Sequence, residues 1–297
     1  MTGRASLIEQ SSGCSLGRVD PFLVMGVVNV TPDSFSDGGR YLDAEKAIEH
    51  GKQLIAEGAD LLDVGGESTR PGAEAVSEAE EIARVEPVIE ALAREGARVS
   101  IDTTKGAVAR AALAAGASYV NDVSALRFDP DLAGVVADAG VECCLMHLGG
   151  DSPRTMQDDP RYDDVVDDVR VHLEERMAYA TGAGIAEERI HLDPGIGFGK
   201  TLEHNLELLR RLDEIVALGR PVVIGTSRKS FLGKLTGREV GERVAATVAT
   251  NVLALERGAR IFRVHDVQPT RDALVVAAAT LRRWPTTTTA TISTRTT

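Results

Sequence analysis

The chain has 297 residues, 43% of them hydrophobic and 26% charged, a composition that is typical of a globular protein and excludes a disordered one. Its formal net charge of -12 argues against sequence-independent binding of nucleic acid, which draws on a basic surface. No stretch approaches the ~20 apolar residues of a membrane span and the first residues lack the apolar core of a signal peptide, so we expect a cytoplasmic protein without a membrane partner.

Composition suggests domain boundaries near both ends of the chain. A polar lead, residues 1–20, and a Thr-rich tail, residues 285–297, offer no apolar face to bury, so a single folded domain is expected at residues 21–284. Within it, short apolar runs have the length and character of buried parallel strands. There are eight: Leu23–Val28, Leu61–Val64, Val99–Ile101, Tyr119–Val120, Val141–Met146, Ile190–Leu192, Val222–Ile224 and Ile261–Val264.

Longer amphipathic stretches between these runs predict helices, several of which end at a glycine, the residue that most readily closes a helix. The predicted helices include Asp43–Glu57, Ser77–Arg94, Lys105–Ala115, Tyr162–Thr181, Leu202–Leu212 and Gly241–Arg257, and the predicted stops are Gly58, Gly96, Gly116, Gly182 and Gly258. Eight strand and helix units in one domain of ~260 residues predict an α/β fold, a closed (β/α)8 TIM barrel, over an open sheet.

Polar residues follow nearly every predicted strand at its carboxyl end, where a TIM barrel carries its active site. An open sheet would gather them at a switch point between only a few strands. They are Asn29, Asp63, Asp102, Asn121, Asp122, His147, Asp193, Ser227, Arg228, Lys229, Arg263 and His265.

Asp102 and Asp193 each end an apolar run, so their carboxylates are expected to face a shared cavity and to need polar partners there. Taken singly, each could equally form a structural ion pair or cap the following helix. With Asn121 and Lys229 they offer carboxylates, an amide and an ammonium group, a set that suits the amino-pyrimidine edge of a flat heterocycle. The spacing leaves the identity of the heterocycle open.

Asn29, Arg263 and His265 bring one amide and two potentially cationic groups to the rim after the first and eighth strands, a place suited to phosphate or pyrophosphate. Arg263 and His265 are two residues apart and therefore share a face of the strand. No His or Cys cluster has the spacing of metal ligands, so any metal is expected to be a hard ion such as Mg2+, held partly by substrate phosphates and by one oxygen of Asn29.

A glycine-rich segment at residues 195–200 superficially suggests a nucleotide-binding loop, but it follows a late strand and lacks the wider motif, so we reject a dinucleotide-binding fold. Phe198 within it could stack on a ring or simply pack in the loop. Cys143 and Cys144 lie in an apolar run and are expected to be buried, inert thiols.

Seven motifs occur in a fixed order: MGVVNVTPDSFSDGG at 25–39, GGESTRPG at 65–72, SIDT at 100–103, VND at 120–122, LDPGIGFGK at 192–200, SRKSFLG at 227–233 and RVHDV at 263–267. In content and order they resemble the dihydropteroate synthases. The resemblance covers about residues 22–279, nearly the whole predicted domain.

This resemblance implies a transferase of folate biosynthesis that condenses (7,8-dihydropterin-6-yl)methyl diphosphate with 4-aminobenzoate, giving 7,8-dihydropteroate and diphosphate. It also implies a homodimer. Asp102, Asn121, Asp193 and Lys229 would hold the pterin, Arg263 and His265 would receive the diphosphate, and Asn29 would ligate magnesium. Phe35, Thr69, Arg70, Phe198 and Ser227 would form the 4-aminobenzoate site, where sulfonamides also bind in the family. The catalytic residues would be Asp102, Lys229, Arg263 and His265.

The sequence departs from the family pattern in two loops. Residues 146–153 lack a glutamine found in the usual run after the fifth strand, and Ser124–Phe128 replaces a more glycine-rich loop. Two other functions are compatible with part of this pattern. A pterin-binding methyltransferase acting on a corrinoid shares the barrel and the acids, but the motifs around Lys229 and Arg263 argue against it. A non-catalytic paralogue should have lost Asn29, Asp102, Lys229 or Arg263, and all four are present.

Overall fold

The computed structural model describes residues 22–30, 40–69, 74–150, 152 and 155–281. The predicted polar lead and Thr-rich tail lie outside these residues, as do Phe35 and Arg70. Among the described residues, no helix combines the length and the apolar character needed to cross a lipid bilayer.

Eight parallel strands form the barrel that the sequence predicts, in the order β6-β5-β4-β3-β2-β1-β8-β7. A parallel bridge between Leu192 and Val222 joins the two outer strands of this order and closes the barrel. Most strands extend one or two residues beyond their apolar runs, because ladder hydrogen bonds continue into the polar residues that follow. The strands are β1 (Leu23–Asn29), β2 (Leu61–Gly65), β3 (Val99–Asp102), β4 (Tyr119–Asp122), β5 (Glu142–Met146), β6 (Ile190–Asp193), β7 (Val223–Ile224) and β8 (Ile261–Val264).

Helices follow the strands. They are α1 (Arg40–Ala56), α2 (Glu78–Arg94), α3 (Gly106–Ala114), α4 (Leu132–Ala139), α5 (Val165–Gly182), α6 (Leu202–Arg210), α7 (Leu212–Val216), α8 (Ser230–Thr236), α9 (Val244–Glu256) and α10 (Val267–Leu281). Side chains cap several of them: Ser77 accepts a hydrogen bond from the amide of Glu80, and Asp164 accepts from Val166 and Asp167.

The predicted glycine stops have positive φ at four of five positions, the exception being Gly182. That glycine is the last residue of α5, and the left-handed residue is Gly184, with φ of 97°. The predicted Leu202–Leu212 helix also divides into α6 and α7 at Arg211. Propensity alone does not locate the residue at which tertiary packing ends a helix.

The loop at Ser124–Phe128 keeps a left-handed backbone without glycine. Ala125 and Leu126 have φ of 53° and 63°, and both are buried. Arg176 Nε donates to the carbonyl of Ala125 at 2.7 Å, and its Nη2 donates to that of Leu126 at 3.1 Å. We infer that this guanidinium helps to offset the strain of about 1–2 kcal/mol per residue that a left-handed backbone costs.

The core has two main layers and a small third cluster, made of Val123, Met146, Leu148 and Met156, against which Phe198 packs. The larger layer lies between the strands and the surrounding helices. The smaller layer fills the barrel interior, and we call it the barrel floor: Met25, Leu61, Tyr119, Cys144, Val223 and Ile261. Cys143 and Cys144 are both buried free thiols, as predicted, and burial raises the pKa of Cys143 to about 12.

Candidate active site

A layer of polar side chains lies next to the barrel floor, toward the carboxyl ends of the strands. Side chains two positions apart on a strand point the same way, so a residue two positions after a floor residue also faces the interior. Asp63, Asn121 and Arg263 each lie two positions after a floor residue, and Asp102 and Asp193 are the last residues of β3 and β6. We call these five residues the polar layer: Asp63, Asp102, Asn121, Asp193 and Arg263. Four of its five members were predicted as site residues from the sequence, and Asp63 was not.

Four members of the polar layer, all except Asp102, are joined by a continuous chain of hydrogen bonds. Arg263 donates from Nη2 to Asp193 Oδ2 at 2.8 Å and from Nη1 to Asn121 Oδ1 at 3.3 Å. Asn121 donates from Nδ2 to Asp63 Oδ2 at 2.9 Å, and Ser100 donates to the other oxygen of Asp63 at 2.7 Å. The buried charges therefore compensate one another, and the amide of Asn121 is fixed in one orientation.

Neither aspartate that was predicted to face the cavity caps a helix. The N-cap residues of α3 and α6 are Lys105 and Thr201. Asp193 forms an ion pair, but its partner is Arg263, another residue of the site. The second oxygen of Asp193 accepts from the amide of Gly195 at 2.7 Å, which ties the start of the β6–α6 loop to the polar layer.

Two acids of this layer, Asp63 and Asp102, resist ionisation. Burial, the largest cause, raises the pKa of Asp63, and Arg263 opposes it. The pKa of Asp102 lies well above its ordinary value because of burial and the nearby charge of Asp63, again opposed by Arg263. Burial by itself would lower the pKa of Arg263, but Asp193 and Asp63 raise it, so the guanidinium stays charged. The site therefore holds one fixed cation, Arg263, beside two acids, Asp63 and Asp102, whose charged forms are disfavoured by burial.

Lys229 and Phe198 lie together beside this layer. The Lys229 ammonium is 4.3 Å from the centre of the Phe198 ring and also donates to the carbonyl of Ile196. Burial lowers the pKa of Lys229 to about 7, although Asp193 acts in the opposite direction. Phe198 is half-buried, so the ring presents part of its surface outward. Of the two interpretations of Phe198 from sequence, packing is observed, because its side chain contacts the cluster around Met146, and stacking on a ring stays a prediction.

Ser227 and His265 are hydrogen-bonded to each other at the mouth of the barrel. Ser227 Oγ accepts from the backbone amide of His265 at 3.1 Å and lies 3.0 Å from its Nδ1. The adjacent Arg228 has a positive φ of 58° and forms a two-point ion pair with Asp266, at 2.6 and 3.0 Å. Arg228 therefore joins two strand ends rather than facing the polar layer.

Asp122 and His147, two polar residues noted at strand ends, make other contacts. Asp122 accepts from the amides of Ser124 and Leu126, at 2.7 and 2.6 Å, and so shapes the β4–α4 turn. His147 Nδ1 lies 2.9 Å from the ammonium of Lys200, and burial together with the Lys200 charge lowers the pKa of this histidine. A polar residue at a strand end therefore does not by itself belong to the polar layer.

Lys105 anchors both ends of the connection between β2 and α2, which begins with the motif at residues 65–72. The Lys105 ammonium donates to Glu67 near the start of this connection and to the carbonyl of Val76 near its end, the latter at 2.8 Å. The same ammonium pairs with the buried Glu81. Thr69 is half-buried between these anchor points. Sequence reasoning missed Lys105, and it noted Asp63 near the carboxyl end of a strand without assigning it a role. An acid inside an apolar strand is itself a signal of a paired buried charge.

Asn29, the single metal ligand that was predicted, lies in the described part of the chain, where it is exposed at the end of β1. The described residues contain no group of three or more His, Cys, Asp or Glu side chains able to hold a metal ion. A single exposed amide oxygen fits a hard cation that takes most of its ligands from a bound diphosphate and water.

Comparison with known proteins identifies the family. The model of the family described as pterin binding enzyme matches residues 25–265. The dihydropteroate synthase of Mycobacterium leprae is 48% identical over 89% of this chain and 95% of the relative. That of Escherichia coli K12 is 46% identical over 91% of this chain and 95% of the relative.

Solved structures agree with this family. The dihydropteroate synthase of Xanthomonas albilineans with 4-aminobenzoic acid is 52% identical, with a TM-score of 0.82, over 87% of this chain and 92% of that one. Fold and site together define a pterin-binding enzyme built on a TIM barrel. The chain belongs to the pterin binding enzyme family and, within it, to the dihydropteroate synthases, which are transferases of folate biosynthesis.

Proposed function

We propose that the polar layer binds the pterin ring in the condensation of (7,8-dihydropterin-6-yl)methyl diphosphate with 4-aminobenzoate. The hydrogen-bonded chain from Arg263 through Asn121 to Asp63 supports this assignment most strongly. Carboxylates of Asp102 and Asp193 accept hydrogen bonds from ring N–H groups, while Asn121 and Lys229 donate to ring acceptors. Because Arg263, Asn121 and Asp63 are held in place by hydrogen bonds to one another, the layer favours a ligand that matches their fixed positions.

The aminobenzoate is proposed to lie against the half-buried face of Phe198, beside the loops that carry Phe35, Thr69 and Arg70. Stacking on an aromatic ring suits a planar substrate. Ser227 belongs to this site together with its partner His265, because the Ser227 hydroxyl is already hydrogen-bonded to that histidine.

The diphosphate is proposed to leave toward Asn29, Arg263 and His265. The bond from the pterin methyl carbon to the diphosphate oxygen breaks with its electron pair going to that oxygen. The arylamine nitrogen then forms the new bond to the same carbon and loses one proton. The ionised Asp102 carboxylate stabilises positive charge developing on the pterin, so no strong general base is required. Asn29 would hold Mg2+, an ion that offsets diphosphate charge when bound.

The decisive experiment measures diphosphate release by purified protein given the pterin diphosphate, with and without 4-aminobenzoate and with and without magnesium. We expect release that needs both additions and yields 7,8-dihydropteroate. Tight pterin binding without such release would favour the methyltransferase or the non-catalytic paralogue, and a corrinoid-dependent methyl-transfer assay would separate those two. Release that is undiminished after chelation of magnesium would contradict the metal assignment.

Lys229 is expected to take up a proton when the pterin diphosphate binds. With a pKa of about 7, Lys229 is largely neutral in the free enzyme at pH 8, whereas hydrogen-bond acceptors and negative charge on the ligand favour its ammonium form. Calorimetric titration at pH 8 in buffers of different ionisation enthalpy should reveal uptake, and Lys229→Met should lack it. The exposed Lys234 on α8 supplies the control Lys234→Met. Heats that do not depend on the buffer would contradict this role.

We also propose a cytoplasmic homodimer that associates through the late helices. Large apolar side chains are exposed on α9 and α10, among them Leu253, Val275 and Val276, the last with 66% of its surface accessible. Light scattering should give twice the chain mass, and Val276→Glu should give a monomer. Val171→Glu on α5, also an exposed valine, should remain dimeric. A monomeric wild-type protein would rule out the dimer.

A further inference from the structure

The β6–α6 loop, residues 195–200, has a backbone that turns at every second residue. Gly195, Gly197 and Gly199 all have positive φ, of 67°, 83° and 64°. A Cβ at Gly197 would lie 2.7 Å from Lys229 Cδ, and one at Gly199 would lie 2.6 Å from the Cα of Gly149. The loop therefore combines a glycine-dependent conformation with close approach to its neighbours.

Four successive carbonyls of this loop each accept a hydrogen bond from a different side chain. The Ile196 carbonyl is bound by Lys229, and that of Gly197 by Gln157 Nε2 at 2.8 Å. The Phe198 carbonyl is bound by Lys200 Nζ at 2.9 Å, and that of Gly199 by the hydroxyl of Tyr162 at 2.8 Å. Two of the donors, Gln157 and Tyr162, come from the β5–α5 connection, which contributes no predicted site residue.

The Phe198 side chain packs against a small apolar cluster of Val123, Met146, Leu148 and Met156. The contacts from Gln157 and Tyr162 hold the backbone on the outer side of the loop. A cavity of about 500 Å³ is bounded by Tyr162, Gly199 and His147, and none of the polar-layer residues lines it. The loop therefore has room to shift on that side if its hydrogen bonds are removed. Phe198 lies between the carbonyls held by Gln157 and Tyr162, so a shift of the backbone would displace its ring from Lys229.

We propose that Gln157 and Tyr162 are positioning residues that fix Phe198 and thereby set the affinity for 4-aminobenzoate without affecting the pterin. This inference rests on the proposed function, in which the aminobenzoate lies against Phe198. Both side chains act on the loop backbone from outside the polar layer, and Gln157 is exposed. Their loss is expected to alter one substrate site and to leave the other intact.

The test uses Gln157→Met, which keeps the length of the side chain and removes the donor, and Tyr162→Phe, which removes only the hydroxyl. Each loses one neutral hydrogen bond, so the KM for 4-aminobenzoate should rise roughly 3- to 10-fold. The kcat and the calorimetric Kd for the pterin diphosphate should stay within about twofold of wild type, the scatter expected where no contact is lost. The matched controls Gln268→Met and Tyr179→Phe change exposed residues on α10 and α5 and should leave all three values unchanged.

A double-mutant cycle decides whether the effect passes through Phe198. In a Phe198→Ala background, Gln157→Met and Tyr162→Phe should cause no further rise in KM, because the ring they position is gone. A full additional rise in that background would overturn the proposal, as would an unchanged KM in both single variants. Parallel increases in the KM for 4-aminobenzoate and the Kd for the pterin would also overturn it. If wild-type protein formed no dihydropteroate in this assay, the proposed function itself would fail.

Discussion

Replacing Asp102 by asparagine is expected to lower kcat by about 10²- to 10³-fold while raising the melting temperature. Losing one preorganised charge that stabilises a transition state has an effect of about this size. The diphosphate should bind almost as well as in wild type, because Asp102 acts on the charge that develops on the pterin. The expected result is therefore a fall in kcat with little change in the affinity for diphosphate.

The gain in stability follows from the pKa of Asp102. Burial and Asp63 raise that pKa in the folded protein, so the folded state holds the proton more tightly than the unfolded chain does. The associated stability is fully present below the ordinary aspartate pKa and is lost as the pH rises through the raised value. At a pH above that raised value an asparagine, which never ionises, avoids this loss.

Thermal melts across pH 4 to 8 check this explanation. The wild-type protein should lose stability with rising pH more steeply than Asp102→Asn does. Steady-state kinetics and diphosphate binding on the same samples give the catalytic half of the comparison. Equal losses of turnover and of diphosphate affinity would contradict the role of Asp102, and a melting temperature below wild type would contradict the stability argument.

Arg263→Met is expected to lower the free energy of unfolding by about 3–5 kcal/mol, the usual cost of removing one partner of a buried ion pair. Arg263 is the charged donor to Asp193 and Asn121, and its side chain is only 11% exposed. Methionine fills similar space but leaves the Asp193 carboxylate without its ion-pair partner. Pterin binding should be lost as well, because Asn121 is then no longer held in place.

Chemical denaturation measures this loss, with Arg110→Met on the exposed face of α3 as the control. The double variant Arg263→Met with Asp193→Asn should recover much of the lost stability, since the unpaired charge is removed, but should recover no activity. A single variant as stable as wild type would show that the ion pair does not support the barrel interior. Recovery of turnover in the double variant would contradict the assignment of both residues to the site.

Local patterns in the sequence determined the architecture and most of the site. Apolar runs predicted all eight strands, because a strand buried on both faces must be continuously apolar. The carboxyl-end rule then brought Asp102, Asn121, Asp193 and Arg263 to one face of the barrel, and the structure places all four in one layer. The predicted boundaries differ by a few residues, since helix ends depend on packing that a local pattern does not contain.

Tertiary structure alone decided which polar groups meet. Arg263 was expected at the diphosphate rim, yet its guanidinium reaches across the barrel to Asp193, 70 residues earlier in the chain. Asn121 donates a hydrogen bond to Asp63, and Gln157 donates one to the carbonyl of Gly197. Both are contacts between segments that are distant in the sequence. The stagger of the strands and the length of each side chain set these pairings. Neither is encoded in residue type or spacing along one strand, so the sequence determined which groups face the interior and only the closed barrel determined their partners.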